Sequence, residues 1–113
     1  THERVSFVLG HSRHELAKET ITGAASRATG PIMFIEDSEH SGGHVAAELE
    51  IYHPLVSVGS YFVVEDLGWP DENSPVRAAA DCFLREHINF YADESKSKYL
   101  HTLAPGGWLK RLA

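Results

Sequence analysis

Two apolar runs that empty into acids set the limits on this chain. PIMFIED (31–37) and YFVVED (61–66) are short, almost uniformly hydrophobic, and end in carboxylates. Runs of this kind are how strands buried on both faces look. Between them, residues 44–53 place Val45, Leu49 and Tyr52 at three- and four-residue spacing, the stripe of a helix with one buried side. Strand, helix and strand in this order predict a parallel crossover. Neighbouring parallel strands release their chains at the same edge of the sheet. Asp37 and the Glu65–Asp66 pair are therefore expected in one crevice, where open α/β sheets place their chemistry.

The flanking segments extend the pattern. VSFVLG (5–10) reads as a strand, and Ser12 with Glu15 forms a capping-box pattern that starts a helix over about 13–28. Leu16, Thr20 and Ala24, with Ala17, Ile21 and Ala28 beside them, supply its apolar face, and Gly30–Pro31 stops it. Ser74 as cap and Pro75 at the first helical position open a further helix over about 75–89, burying Val76, Ala80 and Phe83, with Leu84, His87 and Ile88 alongside. NFYADES (89–95) and GGWLKRLA (106–113) read as short closing strands, the last open to antiparallel pairing. The fold expected is α/β with a mostly parallel sheet, in one domain over residues 1–113. Trp69 and Trp108 read as packing residues, and His101 lies in a loop with no role assigned.

Composition narrows the functions open to such a fold. A formal charge of -6, with 10 basic residues that form no dense cluster, argues against a nucleic-acid or anionic-membrane surface. No apolar segment reaches transmembrane length and no targeting segment is visible, so a cytoplasmic protein is expected. The single cysteine, Cys82, excludes an intramolecular disulfide and reads as a small buried hydrophobe. Phosphate-cradling GxGxxG and GxxxxGK patterns are absent, as are HExxH and the nucleophile elbow GxSxG, which GHSRH does not satisfy.

The acids remain the chemical feature. Carboxylates that converge without a lysine raise one another's pKa unless a cation neutralises them. Mg2+ meets that need through oxygen ligation, with Mn2+ also suited. His40 and His44 could add nitrogen ligation or proton transfer. The same acids read equally as polar starters of helices and loops at a solvent edge. His11 and His14 read first as loop or capping residues, and His53 as a favourable charge at a helix end.

At these residues the chain resembles a known family. IEDSEHSGGHVAAELEIYHPLVSVGSYFVVED, then SPVRAAADCFLREHINFYADES and LAPGGWLKRL, looks like the carboxyl half of the cephalosporin hydroxylase and rhamnosyl O-methyltransferase family. That family belongs to the class I methyltransferases. The resemblance runs over nearly all of residues 5–112. It implies a partial Rossmann-like three-layer sandwich, S-adenosylmethionine as methyl donor, and Mg2+ (or Mn2+) carried by Asp37, Glu65 and Asp66. Asp37 would stand beside both donor and metal, and His40 would be a base or a group behind the ligands. Gly10, His11 and Ser12 would lie near the adenine, although His11 departs from the small residue usual there. The acceptor implied is a hydroxyl of a sugar or small secondary metabolite. Relatives carry an upstream donor-binding half, and nothing of that kind precedes VSFVLG. The expectation is therefore a half-fold with open strand edges that assembles as a homo-oligomer, with a non-catalytic binding or assembly module as the competing reading.

Overall fold

In the computed structural model, which describes residues 2–68, 73–97 and 106–113, the two acid-ended runs are neighbouring parallel strands. β1 (Phe34–Glu36) lies beside β2 (Tyr61–Val64), with Phe34 opposite Phe62, Ile35 opposite Val63 and Glu36 opposite Val64. The crossover is α2 (Gly42–Tyr52), closed by a 3-10 turn at His53–Leu55. It starts earlier than the apolar spacing alone predicts because Ser41 caps it, its hydroxyl accepting from the His44 amide. Val45, Leu49 and Tyr52 are buried as expected.

α3 (Pro75–Glu86) also begins at its predicted cap. The Ser74 hydroxyl accepts from the Arg77 amide and donates to the Leu67 carbonyl, while Pro75 needs no donor at the first turn. The helix ends at Glu86 because His87 leaves helical geometry, so Ile88 stands exposed rather than packed. Buried positions Val76, Ala79, Ala80 and Phe83 define one face, and Cys82 lies off it. Cys82 is consequently exposed, contrary to its reading as a buried hydrophobe.

β3 (Phe90–Ala92) and β4 (Trp108–Arg111) complete a sheet of order β1-β2-β4-β3. β4 is antiparallel to both of its neighbours, so β1, β2 and β3 share one direction and the expected reversed C-terminal strand is present. One sheet face, with Phe34, Phe62, Val64, Phe90 and Leu109, packs against Val45, Leu49, Tyr52, Val76, Ala80 and Phe83 of α2 and α3. Ile21 of α1 (Glu15–Ser26) joins that cluster. By strand alternation the opposite face carries Ile35, Tyr61, Val63, Tyr91, Trp108 and Lys110. The helices α2 and α3 lie on the other face, whereas here Val63 is buried and Lys96 of the Glu94–Lys96 turn reaches over the Tyr61 ring. No described helix is long and apolar enough to cross a membrane. Trp69 and His101 lie outside the described residues.

The amino-terminal expectations fail. Residues 5–9 form no strand, and Val5, Phe7, Val8 and Leu9 are exposed. An apolar run becomes a strand only where a neighbour takes up its backbone groups, and among the described residues β1 pairs with β2 alone. α1 is shorter than predicted, its cap position is His14 without a side-chain bond, and Leu16 faces solvent. Ser12, the predicted cap, bonds elsewhere.

Two glycines mark where elements touch too closely for a side chain. A Cβ at Gly42 would stand 2.8 Å from the Pro75 carbonyl, where the first turns of α2 and α3 meet. At Gly107 it would stand 2.1 Å from the Val64 carbonyl, and the Gly107 carbonyl itself accepts from the Val64 amide. Gly107→Ala is expected to cost on the order of 3 kcal/mol in urea denaturation, because backbone rather than a flexible side chain must yield.

On that opposite face Tyr61 reaches across β4 to donate to Asp93 Oδ2 at 2.6 Å, and Ser95 donates through its hydroxyl and amide to Oδ1. The Ser95 hydroxyl first, and then Tyr61, hold the Asp93 carboxyl below its usual range, while the same bond pushes Tyr61 up to about 12. A depressed carboxyl contributes stability above its unfolded pKa and loses it as pH falls through the folded one. Tyr61→Phe should therefore move the Asp93 titration upward in carboxyl-carbon NMR and start acid unfolding at a higher pH.

Candidate functional site

The register of β1 and β2 brings the predicted acids to one edge. The Glu65 amide donates to the Glu36 carbonyl at 3.0 Å, which carries the ladder one residue past both strands. Asp37 and the Glu65–Asp66 pair therefore leave the sheet side by side. Asp66 has φ 57, a left-handed conformation that aspartate tolerates better than most residues. Its Oδ2 lies 3.6 Å from Nδ1 of His40. Half-buried Glu65 has its carboxyl pushed up, by burial first and then by the charges of Asp37 and Asp66. That is the mutual repulsion expected of acids sharing an edge.

The three carboxylates approach without closing into a tight cluster. Among the described residues, the one set of at least three ligating side chains with atoms all within 4.8 Å of one another is Glu50, His53 and His87. It sits at the other end of α2, where β1 and β2 begin. At the acid edge the donors are all oxygen, a set that suits Mg2+ or Mn2+ with several retained waters. His40 stands next to them as the nearest imidazole to Asp66.

Behind the edge lies a buried polar network that the sequence reading missed. Glu36 and Glu48 are both buried, and the Ser38 hydroxyl bridges them, within hydrogen-bond distance of Glu36 Oε1 and Glu48 Oε2. Ser12 donates its hydroxyl to Glu48 Oε1, and Nε2 of buried His44 lies 3.2 Å from the same oxygen. Burial, followed by the hydrogen bond and charge of Glu48, pushes the Glu36 carboxyl up against the opposing pull of Ser38. Tyr52 donates to the Ser12 carbonyl, fixing the turn to α2 from both sides. A signal for Glu48 was available: positions 45, 48, 49 and 52 form the buried stripe of α2, and a charge there requires a partner.

This network decides where the remaining predicted residues stand. His11 stacks on His14 at 5.1 Å and meets His44 edge-on at 5.2 Å, over the first turn of α2. Gly10 has φ 130 and open space where a Cβ would stand. Ser12 is turned inward to Glu48 rather than outward toward a ligand. His44 keeps Nδ1 buried without a hydrogen-bond partner among the described residues.

Comparison with known proteins gives one consistent result. The family described as Rhamnosyl O-methyltransferase/CmcI matches residues 1–112. A rhamnosyl O-methyltransferase of Mycobacterium tuberculosis (strain ATCC 25618 / H37Rv) is 35% identical over 117 residues, covering 95% of this chain and 47% of that protein. The protein of the same name from Mycobacterium bovis (strain BCG / Pasteur 1173P2) gives the same values: 35% identity, 95% and 47%. The one from Mycobacterium leprae (strain TN) is 31% identical over 100 residues, covering 88% of this chain and 43% of its own. The chain thus spans about half the length of the curated relatives it matches. No solved structure matches the chain.

Two substitutions separate charge from packing in the buried network. Glu48→Ala leaves Ser12, Ser38 and His44 facing a void and should cost about 1–3 kcal/mol in chemical denaturation. Glu48→Gln keeps the volume and can donate to Glu36, so its unfolding midpoint should stay at or above that of the parent protein.

Proposed function

The chain belongs to the Rhamnosyl O-methyltransferase/CmcI family, and from that premise we propose that its protein is an S-adenosylmethionine-dependent O-methyltransferase. In this reading the acceptor is a hydroxyl of a sugar or other small secondary metabolite. The observation that carries it is the meeting of Asp37, Glu65 and Asp66 at one strand edge, felt as a raised pKa at Glu65. Oxygen donors that repel one another fit a divalent cation, Mg2+ or Mn2+, which Asp37, Glu65 and Asp66 would hold. A cation there, when bound, lowers the pKa of a substrate hydroxyl.

The residues of the chain supply orientation and a proton acceptor. Nδ1 of His40 lies 3.6 Å from Asp66 Oδ2, which places the imidazole beside the acid edge as the group that would take the hydroxyl proton. S-adenosylmethionine, when bound, would supply the methyl to the acceptor oxygen, its sulfur keeping the electron pair of the carbon–sulfur bond. Gly10 leaves its backbone open to a flat ring, and His11, braced by His14 and His44, forms a wall beside it. Asp37 would serve both the donor and the cation. Ser12 holds the turn through Glu48. The free edge of β1 and the exposed Phe7 and Leu9 support a homo-oligomer.

Calorimetry tests this reading. Binding of S-adenosylmethionine should strengthen with Mg2+, and Asp37→Asn or Asp66→Asn should weaken Mg2+ binding at least about tenfold. Unchanged Mg2+ affinity in both variants rules out the acid edge as the metal site. Absence of donor binding with or without Mg2+ leaves the non-catalytic binding or assembly module as the better reading.

A further inference from the structure

Three side chains gather where α2 and α3 end, far along the helices from the acid edge. Glu50 lies on the last turn of α2, His53 begins the 3-10 turn that follows, and His87 caps α3. One ligating atom from each lies within 4.8 Å of the other two. Nε2 of His87 is 3.5 Å from Glu50 Oε1. That is too long for a charge-assisted hydrogen bond, which closes to about 2.7–2.9 Å. It does match the edge of a tetrahedron built on metal–ligand bonds of about 2.0–2.1 Å, roughly 3.4 Å.

The imidazoles are also set for ligation. Nδ1 of His87 lies 3.0 Å from the Phe83 carbonyl, which only accepts, so Nδ1 carries a proton and Nε2 is the nitrogen turned toward Glu50 as the ligating atom. A backbone carbonyl holding the far ring nitrogen is how proteins orient a metal-bound histidine. The His87 ring stacks on Phe83 at 4.1 Å, and the His53 ring meets Phe83 and Phe90 edge-on, so packing holds both rings. Their centroids are 4.6 Å apart. His53, which reads in the sequence as a helix-end charge, is thereby drawn into a group of potential ligands.

We propose that Glu50, His53 and His87 form a site for a divalent transition ion of the zinc class, with a fourth position taken by water. Two imidazoles and one carboxylate favour zinc over magnesium, so the site is chemically distinct from the all-oxygen acid edge. The ion ties the end of α2 to the end of α3, the two helices that carry most of the core. It acts as a clamp on the fold at the edge where β1 and β2 begin.

Titration of the protein with ZnCl2 under saturating Mg2+, with Co2+ absorption as a second reading, tests the proposal. One saturable equivalent is expected, with visible Co2+ bands of a four-coordinate ion. Glu50→Gln and His87→Gln should each lower zinc affinity at least about tenfold, while Asp37→Asn leaves it unchanged. Glu50 is half-exposed, with 54% of its side-chain surface accessible, so its variant decides the matter even if His87→Gln fails to fold. No saturable zinc binding, or zinc binding by Glu50→Gln equal to that of the parent, overturns the site.

Discussion

Glu36 and Val64 face each other across a parallel ladder, and the chemistry of the acid edge depends on that pairing. Because the two strands run in the same direction and in step, the residues that follow them emerge together. The Glu65 amide bonding to the Glu36 carbonyl carries the alignment past the last strand residue. A slip of one residue would turn Glu36 out of the core and move Asp37 to the other face. The packing of Phe34 on Tyr52 and Phe62, at 4.7 and 5.0 Å, opposes such a slip.

The same register places Glu36 inside the core, and the fold answers with Glu48. A lone buried carboxylate would be costly. Here Glu36 and Glu48 share Ser38, and Ser12 and Tyr52 use the arrangement to moor the segment before α1 onto α2. The polar network thus does structural work that the absent strand at residues 5–9 does not do. It also keeps His11 over the first turn of α2, beside the acid edge, though no sheet hydrogen bond holds it there.

Legibility followed the range of the interactions. Ser74–Pro75 and the stripe Val45, Leu49, Tyr52 were readable because caps and helical faces are set within a few residues. Asp37, Glu65 and Asp66 were readable as an edge because parallel neighbours must end together. Ser12 was misread because a capping box and a tertiary partner compete for one hydroxyl, and Glu48, 36 residues away, won. Cys82 was misread because its neighbours Ala79, Ala80 and Phe83 shift the buried face of α3 away from it. The strand at 5–9 was misread because its hydrophobicity says nothing about whether a partner strand lies next to it.

From its sequence alone the chain determines the order from β1 through α2 and β2 to α3, the Ser74–Pro75 start of α3, the crossover between β1 and β2, and the resemblance to an O-methyltransferase family. Those follow from local spacing and from the direction a crossover imposes. Only the tertiary structure decides that Glu36 and Glu48 are paired in the core, that Ser12 faces inward, and that Glu50, His53 and His87 meet. These are contacts between groups whose separation in space depends on how α2 and α3 pack, a geometry no short stretch of residues encodes.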